Sequence, residues 1–269
     1  MKKFLRILAI ALTALVTVGC LWIALGMLGN PVSKALSTHA AKDYLTETHP
    51  NGDYTLERVT YNFKDGCYHA FYTDGSLDGD FTAVFTMGGK YRYDTYDSVI
   101  DGFNTARRLD IDYRQLADTL LESPDFPYPC HIAFGTLECY PQEAFDDPNV
   151  TDVPSYAINQ SALIVNGSYD IAALGAEAGH LVLYIDTYSP NAETAAAILT
   201  DLRHRADAAG VPFRAVTLVL QHPETAEDLR MEHFLYEDIE GEGLTDRVTA
   251  AVAATEAWYA AQEKEKAIE

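Results

Sequence analysis

The stretch that decides the fold is ILAIALTALVTVGCLWIALGML, residues 7–28. It is a run of 22 residues without a charged side chain. As a helix that rises about 1.5 Å per residue it would be about 33 Å long, enough to cross the roughly 30 Å hydrocarbon core of a bilayer. Lys2, Lys3 and Arg6 precede it, and positive charge on that side predicts a cytoplasmic N-terminus and an extracytoplasmic remainder. The sequence therefore predicts a single-pass membrane protein, with membrane contact through residues 7–28.

Three other interpretations of this stretch compete with a retained anchor. A lipoprotein signal would be cut before Cys20, but Thr17 replaces the usual aliphatic residue and apolar residues follow where a polar tether is expected. Cleavage by ordinary signal peptidase after His39-Ala40-Ala41 needs an apolar region of roughly 7–15 residues, and this one is longer. A buried core helix is disfavoured by the N-terminal position behind a basic segment. The sequence favours a retained anchor and leaves processing at Cys20 open.

Composition places the rest of the chain in an acidic globular class. The 269 residues carry 40 acidic and 19 basic side chains, a formal net charge of −21, and 48% of them are hydrophobic, which is enough for a core. Negative charge repels phosphate, so nucleic acid is excluded as a partner and electrostatic adhesion to anionic lipid is disfavoured. Three of the four cysteines (Cys67, Cys130 and Cys139) follow the apolar stretch. Their spacing fits neither a disulfide framework nor a zinc site.

The first half predicts a helix, a β-meander and a second helix. Asn30 is a favoured N-cap and Pro31 a favoured first helical residue. Residues at helical spacing predict an amphipathic helix as far as Thr48, with its apolar face formed by Val32, Leu36, His39, Ala40 and Tyr44. Alternation with period two predicts antiparallel strands at 54–63, 67–73, 81–86 and 90–96. Helical spacing returns over 97–122.

The second half predicts a parallel βαβ unit. Residues 132–140 form either one strand or a hairpin that turns at Gly135-Thr136. The two alternatives place Cys130 and Cys139 about 30 Å apart or as diagonal neighbours, so a disulfide between them stays open. An apolar run at 180–185, a helix from Ser189-Pro190 to Gly210 and an apolar run at 214–220 predict the βαβ unit. A strand at 233–239 and a helix from Leu244 complete the chain.

These patterns predict an α+β fold in three parts. Residues 1–29 are the cytoplasmic stub and transmembrane anchor. Residues 30–125 form an N-terminal α+β domain, and residues 126–269 form a C-terminal α+β domain that contains the βαβ unit. A tether of only a residue or two after the anchor predicts that the first domain lies directly against the membrane.

Several segments, taken in this order, resemble the YfjL-like proteins of Gram-positive bacteria. They are Gly29-Asn30-Pro31-Val32-Ser33-Lys34, Tyr61-Asn62-Phe63-Lys64-Asp65-Gly66, Asn104-Thr105 with Arg108-Leu109, Gly179-His180-Leu181-Val182-Leu183-Tyr184, Ala209-Gly210-Val211-Pro212-Phe213 and Phe234-Leu235-Tyr236-Glu237-Asp238-Ile239. The resemblance covers nearly the whole chain and implies a membrane-anchored protein with paired N- and C-terminal domains. It implies no activity, and no functional residue can be carried over from it.

Candidate chemistry is sparse. The loop Asp74–Asp80 alternates oxygen donors and ends near Gly79, as a calcium loop begins, but its twelfth position is Phe85 instead of a bidentate Glu. A hairpin loop explains the same residues through turn geometry. The eight histidines form no HExxH motif and no Cys/His cluster, and the βαβ geometry predicts that His180 and His222 lie at opposite ends of the sheet. His39 is expected to pack in the core.

The acidic pairs have no defined separation that would identify a hydrolase. These pairs are Asp110/Asp112, Asp146-Asp147 and Glu237-Asp238, and a chain with 40 acidic residues forms such pairs by chance. The sequence therefore predicts no catalytic residue, no metal ligand and no cofactor. The leading hypothesis is a non-enzymatic binding or regulatory module of the cell envelope, with an envelope protein as its possible partner. The alternative is an extracytoplasmic carboxylate-dependent hydrolase.

Overall fold

The protein is a mixed α+β chain that divides into two compact units, residues 1–104 and 105–269. The computed structural model describes residues 2–151 and 153–266. This confirms the predicted fold class, an apolar N-terminal helix followed by sheet-containing parts.

An apolar helix begins the first unit. Helix α1 spans Lys2–Leu28, and its most apolar 18-residue window has a mean hydropathy of 2.2 with none of it buried. Its length and composition suit a membrane span and a signal sequence alike. The structure therefore confirms that residues 7–28 form an apolar helix. The orientation of the chain in a membrane stays a prediction.

The rest of the first unit is a helix and a four-stranded sheet. Helix α2 spans Pro31–Thr48, and the strands are β1 (Thr55–Asn62), β2 (Cys67–Thr73), β3 (Phe81–Phe85) and β4 (Tyr91–Asp94). They pair antiparallel in the order β1-β2-β3-β4. The predicted meander is confirmed, because hairpin turns connect strands that are neighbours in the sequence.

The connection between α1 and α2 is short and is fixed to the sheet. The Asn30 side chain accepts a hydrogen bond from the Ser33 amide, 2.8 Å away, which confirms the predicted N-cap. The Tyr68 hydroxyl on β2 donates to the Asn30 carbonyl at 2.9 Å and lies 3.0 Å from its amide nitrogen. Gly29, between the helices, has a φ of +71°.

Helix α2 packs with a face that matches the prediction only in part: Tyr44 stacks on Tyr91 and contacts Tyr72, but the buried positions are others. Its buried residues are Ser33, Ser37 and Ala41, one per turn. Val32 and Leu36, assigned to the apolar face, are 70% and 49% exposed. Small side chains allow the helix backbone to approach the sheet: Ser37 donates a hydrogen bond to the Thr86 carbonyl, and the Tyr72 hydroxyl donates to the Ala41 carbonyl.

The predicted helix over 97–122 is two helices. Helix α3 spans Asp97–Ile100 and helix α4 spans Phe103–Leu121. Gly102, between them, has a φ of +82°, a left-handed conformation that glycine adopts easily and that ends a helix.

The second unit contains a sheet with helices packed on it. Its elements after α4 are β5 (Cys130–Leu137), β6 (Cys139–Tyr140), α5 (Gln142–Asp146), β7 (Ile158–Asn159), α6 (Ile171–Ala178), β8 (Gly179–Asp186), α7 (Ala192–Ala209), β9 (Ala215–Gln221), β10 (Asp228–Leu235) and α8 (Leu244–Lys266). Four strands form the sheet in the order β10-β9-β8-β5. Strands β8 and β9 are parallel, so the predicted βαβ unit is confirmed, while β5 and β10 run antiparallel to their neighbours.

The structure settles the open question about residues 132–140. Strand β5 continues through Gly135 without a turn and pairs with β8 as far as Leu137. The hairpin alternative is therefore wrong. Cys130 and Cys139, at the two ends of this segment, are free thiols.

Helix α4 contributes to the core of the second unit. Leu109 and Tyr113 pack with Leu137 of β5, and Ala117, Leu120 and Leu121 belong to the larger apolar cluster of the second sheet. The compact units divide after Asn104, near the start of this helix, in contrast to the predicted limit after residue 125. The apolar face of the helix shows that it packs but not on which sheet, so the sequence does not determine to which unit the helix belongs.

Candidate functional site

A cleft of about 650 Å³ lies in the second unit between α8, β10 and the segment around Pro154. Three alanines of α8 line it (Ala250, Ala251 and Ala254), and their small side chains leave room along the helix. Trp258, which is 39% exposed, and Phe234 of β10 line it as well. The cleft is therefore an apolar groove that is open to solvent.

Charged residues of both signs, with acidic residues in excess, lie around these apolar residues. Glu232, Asp238 and Arg247 line the cleft. The Arg247 guanidinium donates hydrogen bonds to the carbonyl oxygens of Asp238 and Glu240 at 2.9 and 2.8 Å, so it is held by the turn that precedes α8. The Glu232 carboxylate accepts a hydrogen bond from the Tyr259 hydroxyl.

His233 reaches the cleft from a bulge in β10. The pairing register with β9 shifts between Met231 and Phe234, and His233 has a φ of +50°. A left-handed conformation costs about 1–2 kcal/mol for a residue with a Cβ, and a bulge redirects a side chain out of the regular alternation. The predicted strand at 233–239 is therefore wrong in its limits: β10 ends at Leu235, and residues 236–239 form a 3₁₀ turn.

Behind His233 lies a buried pair, Glu138 and His180. The Nδ1 atom of His180 lies 2.5 Å from Oε1 of Glu138, and the His180 and His233 rings are 4.5 Å apart between centroids. Glu138 follows β5 and His180 is the second residue of β8, and these two strands are adjacent in the sheet. One carboxylate oxygen of Glu138 and one ring nitrogen of each histidine lie within 4.8 Å of one another.

The surroundings of Glu138 keep it ionised. Burial by itself would raise its pKa, but hydrogen bonds with His180 and Tyr140 and the proximity of His233 outweigh burial, so the pKa of Glu138 lies below its ordinary value. The Tyr140 hydroxyl donates to Oε2 of Glu138 at 3.0 Å. Burial, and then the Glu138 carboxylate, raise the pKa of Tyr156. The site therefore combines a buried anion with a phenol that stays protonated at neutral pH.

Further hydrogen bonds orient both histidine rings. Thr217 of β9 lies opposite the bulge, and its Oγ1 atom is 2.9 Å from Nε2 of His180. The same oxygen accepts a hydrogen bond from the His233 amide at 3.3 Å. The Tyr156 hydroxyl lies 2.6 Å from Nδ1 of His233. Such a cluster can hold a proton between a carboxylate and two imidazoles, or a metal ion among them.

The calcium-like loop has the contacts of a turn. The Asp74 carboxylate accepts a hydrogen bond from the Ser76 amide at 2.8 Å, the Asx-turn geometry expected of the hairpin interpretation. A Cβ on Gly79 would lie 1.9 Å from the Asp74 carboxylate, so glycine is required by this close approach. The Asn104 side chain donates to the carbonyl oxygens of Asp78 and Asp80.

The structure separates the other histidines singled out from the sequence. His180 lies at the Ala215 end of the β8–β9 pair, and His222 follows the opposite end of β9, as predicted. His39 is not a core residue: its side chain is 78% exposed and pairs with Asp43 one turn later, 2.6 Å away. The cause is the same as for Val32 and Leu36: the buried face of α2 contains Ser37, and His39 lies outside that face.

The acidic pairs do not converge as pairs. Asp110 accepts hydrogen bonds from the Thr136 hydroxyl and the Leu137 amide, which is a structural role beside β5. Asp146 contacts Gln142. Glu237 pairs with Arg214, and its neighbour Asp238 lines the cleft.

The cluster of Glu138, His180 and His233 was not predicted from the sequence. Its members are separated by 42 and 53 residues along the chain, so no motif spacing marks them. Two signals were present. His180 is a polar residue at the start of an otherwise apolar strand, and Glu138 interrupts the segment 132–140. Each would predict a buried charge that needs a partner.

Comparison with known protein families gives two matches. A family model described as "YfjL-like, N-terminal domain" matches residues 1–95, and a second, described as "YfjL-like C-terminal domain", matches residues 112–249. No curated protein and no solved structure matches the chain. Glu138, His180 and His233 all lie within the second match, whereas Trp258 lies beyond it.

Proposed function

The chain belongs to the YfjL-like family, and we propose that it is a single-pass membrane protein with a binding or regulatory role in the cell envelope. Its N-terminus is cytoplasmic, and the chain beyond α1 is extracytoplasmic. The second unit binds a segment of a neighbouring envelope protein in the cleft between α8 and β10, without catalysing a reaction. The observation that carries this proposal is the solvent-open apolar cleft.

The apolar helix and its connection support the anchoring part of the proposal. Helix α1 is long enough for a bilayer, and the basic residues Lys2, Lys3 and Arg6 favour a cytoplasmic N-terminus. The hydrogen bonds between Tyr68 and Asn30 tie the first sheet to the residue two places after α1. An anchor connected so tightly keeps the sheet of the first unit close to the membrane surface, where it meets other membrane proteins.

The cleft supports a protein segment as the ligand. A groove between a helix and a strand can accommodate an extended or helical segment with apolar anchors, and Trp258 offers the kind of aromatic side chain that often dominates binding energy. Glu232 and Asp238 line the groove, while the positive charge of Arg247 is held by backbone carbonyls. The ligand segment is therefore expected to combine an apolar side chain with a positively charged one.

Site-specific photocrosslinking in living cells tests the binding proposal. A photoreactive residue in place of Ala254, in the cleft, should give a discrete crosslinked product that contains a second membrane or envelope protein. The matched control is Ala253, the residue immediately before Ala254 on α8, which is exposed and lies outside the cleft. Equal products from the two positions, or none from Ala254, would contradict the proposal.

Protease accessibility tests the anchor. Protease added to intact, wall-stripped cells should digest the chain beyond Asn30, and the mass of the membrane-bound protein should include residues 1–28. If most of the chain survives until the membrane is broken, the orientation is wrong. A mature N-terminus at Cys20 would show that the helix is processed.

A further inference from the structure

We propose that Glu138, His180 and His233 form a binding site for a divalent first-row metal ion such as Zn²⁺. This inference concerns the buried cluster behind the cleft and does not depend on the binding of an envelope protein. Metal binding and segment binding can each be present or absent, and separate experiments measure them.

The donor set is the first argument. Two imidazole nitrogens and one carboxylate form a common protein ligand set for zinc, and imidazole also suits other late first-row ions. The three ligand atoms lie within 4.8 Å of one another. Ligands of a tetrahedral ion with bonds of about 2.0–2.2 Å are roughly 3.4 Å apart, so displacements of about 1 Å or less per atom would accommodate the ion. A water molecule would complete such a site.

The partners of these ligands are the second argument. Ligand histidines usually donate their other ring N–H to a fixed acceptor, which orients the ring. His180 faces Glu138 with Nδ1 and has Thr217 Oγ1 at 2.9 Å from Nε2. Tyr140 hydrogen-bonds the second oxygen of Glu138, and Tyr156 contacts Nδ1 of His233. Each of the three proposed ligands therefore already has an orienting partner.

The backbone at His233 is the third argument. A regular strand would direct side chains alternately to the two faces of the sheet. The bulge and the positive φ of His233 break that alternation and place its ring 4.5 Å from that of His180. Unfavourable backbone conformations of this kind concentrate at functional sites. The gain that offsets the cost here is the convergence of a second imidazole on a buried carboxylate.

Acidic side chains elsewhere will also bind cations weakly, since the chain has 40 of them. The experiment must therefore separate one buried site from many exposed ones. His233→Asn is the decisive variant, because Asn adopts a positive φ more readily than most residues and His233 is only half-buried. His222→Asn is the matched control, since His222 follows the far end of β9.

The test measures Zn²⁺ binding to the full-length chain in detergent micelles after removal of metal by a chelator. Competition with a chromophoric chelator at moderate ionic strength gives stoichiometry and affinity, and Co²⁺ absorption reports nitrogen ligation. We expect one tight site per chain. His233→Asn should weaken it by at least about 100-fold, Thr217→Val by about 10–100-fold, as for an orienting partner, and His222→Asn by less than about twofold.

A stability readout keeps the test meaningful if a buried substitution perturbs the fold. Zn²⁺ should raise the melting temperature of the wild-type chain and of His222→Asn, but not that of His233→Asn, with circular dichroism showing the same secondary structure in all three. Equal Zn²⁺ affinity of wild type and His233→Asn would overturn the proposal, since the ions would then be held by exposed carboxylates. A wild-type chain without a tight site would overturn it as well and would leave a proton as the shared occupant of the cluster.

Discussion

At the scale of single residues, Gly29 determines how the apolar helix meets the first sheet. Its φ is +71°, and a Cβ there would lie 2.5 Å from the Tyr68 hydroxyl and 2.8 Å from the Tyr61 ring. Gly29→Ala should therefore add a steric clash to the backbone cost of about 1–2 kcal/mol for a left-handed residue. Hydrogen exchange of the β1 and β2 amides, which reports local opening, should show faster exchange in this variant.

Gly52→Ala is the control that isolates the close approach. Gly52 has a φ of +76° but no atom within 4 Å of a Cβ, so only the backbone cost applies. We expect its sheet amides to be protected more than those of Gly29→Ala. Equal protection in both variants would mean that the contacts with Tyr61 and Tyr68 contribute nothing to the junction.

The residues of the candidate site show where prediction from sequence ends. His180 could be recognised as a residue at the edge of a buried strand, and its separation from His222 followed from the parallel βαβ geometry alone. That Glu138 and His233 would be its neighbours could not be predicted. Glu138 follows β5, an antiparallel strand whose position in the sheet the sequence does not encode, and the position of the His233 ring depends on a bulge that leaves no periodic pattern.

At the scale of elements, local patterns predicted most helices and strands correctly. The meander and the βαβ unit follow from short-range signals, namely period two with turn residues and apolar runs around a helix. Helix α2 shows the limit of such signals. Tyr44 of the predicted face packs against Tyr72, but Val32 and Leu36 are exposed. The buried positions are Ser33, Ser37 and Ala41, because only small side chains allow the contacts of Tyr72 and Thr86 with the helix.

This packing gives an outcome opposite to the one that hydrophobicity suggests. Ser37→Leu should destabilise the first unit, because Ser37 is 0% exposed and overpacking costs about 1–3 kcal/mol. The adjacent substitution Leu36→Ser should change stability by less than about 0.5 kcal/mol, since Leu36 is 49% exposed. Urea unfolding followed by circular dichroism measures both. A larger loss from Leu36→Ser than from Ser37→Leu would show that α2 packs through the face expected from sequence.

At the scale of the whole molecule, the limits of the two domains are the least predictable feature. A helix with one apolar face must pack on a sheet, and two sheets follow each other along this chain. Chain order gave the limits 30–125 and 126–269. The contacts of α4 assign it to the second unit. Its Tyr113 donates a hydrogen bond to the Pro212 carbonyl. Gly135 leaves room for Ala117 of α4, and Gly175 leaves room for the Tyr113 ring.

The two limits lead to different folding fragments. Residues 103–269 retain α4 and should fold as a soluble unit with a cooperative transition, because Leu109, Tyr113 and Leu120 are buried in the core of the second unit. Residues 126–269 lack α4, and the loss of several buried side chains at about 2–5 kcal/mol each exceeds the usual stability of a domain of about 5–15 kcal/mol. We expect this fragment to bind a hydrophobic dye and to unfold without a sharp transition. If 126–269 folds as cooperatively as 103–269, then α4 is dispensable to the second unit and the limit after residue 125 is the correct one.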